Sequence, residues 1–232
     1  MTAVEQEIGL ARWRPLARRA LDSDLAANVA SEAYGLAPFA AMHAFAVAQW
    51  AQTADLRWLA PNTCPPLTAA KVLAWNKGEG EAFVLLLRGD PWPHGYGELN
   101  RMSNRKGHFW IGHIVVRPDR RRRGFGAALV RLLLARAFEH RRADRVSLIV
   151  FPDNRAAIRC YDRVGFVKTG EERHPFAGWR TSPRLWRMEM DRPTWERRGR
   201  RRAPRARNDP ADPGLPMACR LAHGGPDSHP YA

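Results

Sequence analysis

The stretch that most narrows the folds open to this chain is HIVVRPDRRRRGFGAALVRLLLARAF, residues 113–138. Its apolar start reads as a buried strand that stops at Pro118, which has no N–H to continue a ladder. Four consecutive arginines, 120–123, lead into Gly124-Phe125-Gly126. From there Phe125, Ala128, Leu129, Leu132 and Leu133 recur at the spacing of one helix face. The pattern predicts a helix over 124–141, ending in His140 and Arg141 where the dipole favours cations. A helix that opens this way has first-turn N–H groups without intrahelical partners and partial positive charge at its mouth. Glycines at 124 and 126 let a ligand come close to the main chain. The segment therefore reads as a cradle for a phosphate.

Two better-known phosphate loops are excluded. The P-loop ends in Gly-Lys-Ser/Thr, a triplet this chain lacks. The dinucleotide fingerprint needs a third glycine where Leu129 stands, and GYGELN at 95–100 fails the same test.

The neighbouring segments alternate between strand-like and helix-like. DLRWLAP (55–61) reads as a short strand closed by proline, and LTAAKVLAWNK (67–77) as a helix with Thr68 near its start and Gly78 as its stop. EAFVLLLRGD (81–90) and HGYGELNRM (94–102) read as a hairpin, followed by a third strand, GHFWIGHIVVRP (107–118). RVSLIVF (145–151) is a buried strand, and NRAAIRCYDRVG (154–165) is a helix capped by Asn154 and stopped by Gly165. FVKTGEE (166–172) and RLWRMEM (184–190) close the series. The sum is an α/β domain over 51–191, with an antiparallel front half and a strand–helix–strand crossover behind it. Residues 1–50 have a helical flavour and no motif. Residues 192–232 are rich in Arg, Pro, Gly and Asp and are expected to form a disordered tail.

Charge limits the partners. The net charge is +15, nearly all of it from arginine, since lysine occurs only at 71, 77, 106 and 168. Such a balance implies an anionic ligand, an anionic partner or a basic tail, or, for most of these arginines, only a base-composition bias in the coding DNA. A basic nucleic-acid-binding protein is the alternative reading. No RRM, KH, zinc-finger or helix-turn-helix signature supports it, and the basic stretch RRGRRRAPRARNDPADPG (197–214) lacks interleaved aromatics for stacking bases. Cys64, Cys160 and Cys219 are far apart, so neither a metal knuckle nor a disulfide framework is expected, and a reducing, cytoplasmic setting fits. No metal is called for. Residues 1–24 mix acids and arginines without the apolar core of a leader. The uncharged run 35–54 holds Pro38, His43, Gln49 and Gln52 and reads as a packed helix, not a membrane span.

Arg121-x-x-Gly124-x-Gly126, directly after a strand ending Val-x-Pro, resembles the acetyl-CoA signature of the GNAT family of N-acetyltransferases. Downstream, FPDNRAAIRCYDRVGF (151–166) resembles the family's second motif, Asn-x-x-Ala-x-x-x-Tyr-x-x-x-Gly-Phe. The two motifs stand in order, joined by one helix and one strand, and the resemblance covers about residues 55–190.

The resemblance implies a GNAT fold, a mixed central sheet flanked by helices, with acetyl-CoA as co-substrate and an amine acceptor, either a small molecule or a protein N-terminus. It implies that the backbone at Ile114, Val115 and Val116 pairs with the pantetheine arm. A bulge in that strand would aim an N–H at the acetyl carbonyl. The amides of Arg121, Arg122, Arg123, Gly124, Phe125, Gly126 and Ala127 would hold the pyrophosphate, and Asn154 would bond the pantetheine arm. Tyr161 would protonate the departing thiolate. Direct attack by an amine on a thioester needs no nucleophilic serine or cysteine, only positioning, a base and an acid. Some members place a glutamate in the strand before the second motif, where this chain has Ile149. The base is therefore sought elsewhere: His113 first, Glu98 on the preceding strand second, and a water chain third. The missing glutamate also leaves open an acyl-CoA-binding domain that regulates without catalysing. The chain would act as a monomer or a homodimer.

Overall fold

The computed structural model describes residues 34–51, 56–75 and 80–202. Its strands are β1 (Tyr34–Pro38), β2 (Glu81–Leu87), β3 (Asp90–Arg101), β4 (His108–Val116), β5 (Arg145–Val150), β6 (Val167–Arg173) and β7 (Arg184–Asp191). Its helices are α1 (Ala44–Trp50), α2 (Leu56–Leu59), α3 (Ala69–Trp75), α4 (Phe125–Ala135), α5 (Arg155–Val164) and α6 (Arg192–Arg202). The strands form one sheet in the order β1-β2-β3-β4-β5-β7-β6. All neighbours are antiparallel except β4 and β5, the parallel pair that α4 connects. This is the expected mixed α/β architecture.

Two cores lie on opposite faces. Along β2 the odd residues Phe83, Leu85 and Leu87 enter one core, and the even residues Ala82 and Val84 enter the other. The first core is filled by α4 and α5, the second by α1, α2 and α3. Every residue of α4 from Ala127 to Ala135 is buried, Arg131 included. A helix apolar on all sides is a central one, and truncating any of its leucines to alanine costs roughly 2–5 kcal/mol. Its α-helical part ends at Ala135, short of the expected 141, and a wider turn from Arg136 to His140 follows. There Arg136 and Arg141 clasp Glu81 at 2.6 and 2.5 Å, tying the end of the helix to the start of β2.

Three segments differ from the sequence reading. Residues 34–38, placed in the helical N-terminal extension, form an edge strand paired with β2 from Tyr34↔Leu87 to Pro38↔Phe83. The extension thus reaches into the sheet, and α1 packs beside it; residues 1–33 lie outside the described part. The segment read as the strand DLRWLAP is the helical turn α2, with Leu56 buried. Its Asp55 and the stop expected at Gly78 lie outside the described residues. The basic tail does not begin in disorder: α6 starts with the Asp191 carboxylate accepting the Thr194 N–H at 2.9 Å, and Trp195 stacks on Phe138 at 5.7 Å. Residues 203–232 lie outside the described part. The helix at Asn154 is as expected: Asn154 Oδ1 accepts the Ala157 N–H at 3.1 Å, and Gly165 closes the helix with φ 112°. No helix among the described residues is long and apolar enough to cross a membrane.

Candidate active site

The site forms where the sheet opens. β4 and β5 pair only at His108↔Arg145, Phe109↔Val146 and Trp110↔Ser147. Beyond Trp110 the two strands part, so the backbone of 111–116 has no register partner on the β5 side. Such an edge is a template for an extended ligand with amide groups. The stretch includes Ile114, Val115 and Val116, the residues expected to meet the pantetheine arm. The Val116 carbonyl accepts Arg121 Nε at 3.1 Å.

Within that stretch β4 is bulged. Tyr96 faces Val115 and Glu98 faces Gly112, so two steps on β3 match three on β4. His113 takes the extra position, with φ 46°, a left-handed conformation rare outside glycine and more tolerated by Asn, Asp and His. Gly97 is the β3 residue opposite the bulge. A Cβ there would lie 2.5 Å from Ile114 Cδ1 and 3.0 Å from Leu133 Cδ1, so any larger residue would push these side-chain ends aside. The bulge reverses the parity of β4. Ile111 belongs to the α4 core, yet Val115, four residues on, belongs to the α1–α3 core. His113 is carried onto the face of Tyr96 and Glu98.

Those three side chains form one network. Glu98 is 2 % exposed. Its Oε1 accepts the Tyr96 hydroxyl at 2.6 Å, and its Oε2 lies 2.9 Å from His113 Nδ1. Asn100 Nδ2 adds a longer bond to Oε2 at 3.4 Å. Burial opposes ionisation of Glu98, but hydrogen bonds from His113, Tyr96 and Asn100 outweigh it and hold the carboxyl below its usual pKa range. Burial and the neighbouring Glu98 charge push the Tyr96 phenol far upward, so it stays protonated as a donor. Trp75, from α3, stacks on the His113 ring at 4.3 Å with 5° between the planes. Sequence reasoning named His113 and Glu98 as separate candidates. The contacts of Tyr96 and Trp75 with the pair went unseen, although Tyr96-x-Glu98 on one strand already places both on one face.

The segment expected to cradle an anion lies at the start of α4. Gly124 is the N-cap, with φ 87°, and Arg122 is also left-handed with φ 58°. The first helical bond runs from the Ala128 N–H to the Gly124 carbonyl at 3.0 Å, so the amides before it form the open end of the helix. A Cβ on Gly126 would meet Cys160 Sγ at 3.5 Å and Val116 Cγ2 at 3.7 Å, ordinary contacts, so a methyl group fits where a longer side chain would fill the cradle. These features fit a pyrophosphate. The arginine side chains divide. Arg121 turns inward, with its guanidinium donating to Val116 O and, at 2.7 Å, to Trp50 O. Arg122 and Arg123 are exposed.

Tyr161, on α5, is buried in the α4 core and meets Phe166 edge-on at 6.0 Å. Burial raises its pKa, so the phenol keeps its proton. No hydrogen bond is described between it and the His113 network. The Asn154 side chain serves as a helix cap. Burial pushes the neighbouring Cys160 thiol up to about 11, which leaves it a packing residue and not a nucleophile. Among the described residues, no group of three His, Cys, Asp or Glu side chains is placed to hold a metal ion.

Solved structures with the same fold include an aminoglycoside acetyltransferase in complex with coenzyme A (TM-score 0.57, 19 % identity, covering 71 % of this chain and 98 % of that one). Another is a spermidine N-acetyltransferase from Vibrio cholerae with CoA and spermine (0.59, 15 %, 70 % and 98 %). A third is a GNAT-family acetyltransferase from Bacillus anthracis (0.59, 14 %, 68 % and 94 %). Among curated proteins no significant match is found. The family model described as Acetyltransferase (GNAT) family matches residues 44–166, a span that runs from α1 through the bulged strand and the cradle to the end of the second motif. With more than half of its length under that model and both motifs at the opened sheet, the chain belongs to the GNAT family of acetyltransferases.

Proposed function

We propose that the protein transfers the acetyl group of acetyl-CoA to a primary amine by direct attack within a ternary complex, with a Glu98–His113 pair as the base. The observation that carries the reading is the 2.9 Å contact between Glu98 Oε2 and His113 Nδ1 on the bulge of β4. An ionised Glu98 accepts the Nδ1 proton and leaves the Nε2 lone pair free. His113 then takes the proton of the attacking ammonium at Nε2, while Glu98 stabilises the imidazolium that results. The backbone of Ile114, Val115 and Val116, which has no partner on the β5 side, holds the pantetheine arm, and the amides of 121–127 hold the pyrophosphate. Main-chain N–H groups at the bulge stabilise the charge that develops on the acetyl oxygen. Tyr161, kept protonated by burial, is the group assigned to the departing thiolate. Asn154 adds its amide N–H to the pantetheine contacts while its oxygen caps α5. Cys64 and Cys160 are free thiols, in keeping with a cytoplasmic enzyme.

The test pairs calorimetry of acetyl-CoA binding, wild type against Gly126→Glu, with thiol release over a mixed amine panel. Binding that the variant loses, with CoA released on some amine, is the expected result. Binding without turnover on any amine sinks catalysis and leaves a CoA-binding regulator. A wild type that does not bind acetyl-CoA sinks the whole reading.

A further inference from the structure

We infer that the acceptor is an amine with a single cationic group on an apolar, aromatic body, and not a polycation; the inference rests on the acetyl-transfer reading above. His113 lies in the part of β4 that has left β5, and an arch of chain spans this opening. Its first pillar is Trp75, stacked on His113 and donating its Nε1 proton to Thr63 Oγ1 at 3.3 Å. The turn just before Thr63 joins the far side: the Pro61 carbonyl accepts Trp179 Nε1 at 3.0 Å, and Asn62 Oδ1 accepts the Ala177 N–H at 2.8 Å. Trp179 and Phe176, in the loop between β6 and β7, stack on Phe151 just past the end of β5, at 5.8 and 5.9 Å. A continuous line of ring contacts and hydrogen bonds therefore runs from the base to the other lip of the gap. It is built from indoles, phenyl rings, main chain and the neutral side chains of Asn62 and Thr63.

Charge decides what this arch admits. Residues 34–51 contain no Lys, Arg, Asp or Glu. The described segment 56–75 contains only Arg57 and Lys71. Arg57 is paired with Asp153 at 2.6 Å, and Lys71 Nζ is bound to the carbonyls of Cys64 and Pro66. The loop 174–183 has His174 and Arg180 and no acid. The nearby carboxylates are already matched: Asp153 by Arg57 and Trp58, Glu171 by Lys168, Glu172 by Arg187, and Glu98 by His113 and Tyr96. A triamine or an aminoglycoside entering here would have to strip water from several ammonium groups, while the four carboxylates just named already have partners. A monoamine brings one ammonium, which the aromatic faces attract and His113 then deprotonates. Its apolar body covers the rings.

The experiment uses the full chain. Acetyl-CoA affinity is measured first by calorimetry, and thiol release is then followed with 2-phenylethylamine and tryptamine against spermidine and kanamycin. The expected result is a kcat/KM on the aryl amines at least about tenfold above that on either polycation. Trp179→Ala is expected to cut the aryl-amine kcat/KM by about tenfold with acetyl-CoA affinity unchanged. Spermidine or kanamycin used as well as the aryl amines overturns the inference. So does a wild type that binds acetyl-CoA yet turns over neither aryl amine, an outcome that leaves the cofactor reading standing. Failure to bind acetyl-CoA overturns both together.

Discussion

His113 Nδ1 and Glu98 Oε2 sit 2.9 Å apart across two antiparallel strands, on residues that are not register partners. Glu98 faces Gly112, and the extra residue in β4 turns the His113 ring onto the same face of the sheet. The bulge, the left-handed φ of His113 and the bare Cα of Gly97 are one structural device seen from three positions. It serves to bring a carboxylate and an imidazole together beside the unpaired edge of β4.

Replacing the imidazole without disturbing the bulge is the sharpest check on the base. Asparagine tolerates a positive φ, so His113→Asn adds little strain. Its kcat is expected to fall by roughly 10²–10³-fold while the acetyl-CoA Kd holds. Steady-state kinetics and calorimetry give the two numbers, and a loss under tenfold would pass the role to solvent.

The depressed pKa of Glu98 carries a stability prediction. A carboxylate whose folded pKa lies below its unfolded value of about 4.3 stabilises the fold above that pH and loses the contribution as pH falls through the folded value. Glu98→Gln is expected to cost roughly 1.5–3 kcal/mol at pH 7, the range for hydrogen bonds to a charged group. The deficit should shrink when urea unfolding is repeated at progressively lower pH. A deficit that stays constant with pH would show that Glu98 is not held ionised by its partners.

Gly126 separates space from charge. A methyl group there makes only ordinary contacts with Cys160 and Val116, so Gly126→Ala should keep acetyl-CoA binding and gain up to about 1 kcal/mol of helix stability. Gly126→Glu should fold and fail to bind. Thermal melts beside calorimetry distinguish the two, and equal binding by both variants would move the pyrophosphate elsewhere.

Asn154 caps α5, and the pantetheine contact proposed for it can be parted from the cap by substitution. Asn154→Ala removes the bond to the Ala157 N–H and should cost about 1 kcal/mol in denaturant unfolding. Asn154→Asp keeps a capping oxygen but has no amide N–H to give. It should unfold like the wild type and bind acetyl-CoA about fivefold more weakly. Unchanged affinity in the aspartate variant would reduce Asn154 to a cap.

The sequence by itself determined the cradle and the order of the elements around it. Gly124-x-Gly126 opens an eleven-residue helix whose leucines are buried, and Asn154 and Gly165 bound the next helix as their local chemistry requires. These features are local: a cap, a left-handed glycine and a helical period are each written within a few residues. Other elements exist because of distant partners. Tyr34–Pro38 is a strand because β2 lies beside it, α2 is four residues long and too short to show a period, and α6 is held by Trp195 lying on Phe138. The Glu98–His113 contact is of the second kind. Ile111, His113 and Val115 alternate evenly in the sequence and read as one face of a strand, yet the structure puts Ile111 and Val115 in different cores. A bulge depends on the register between two strands, and register is settled only when both faces of the sheet are packed.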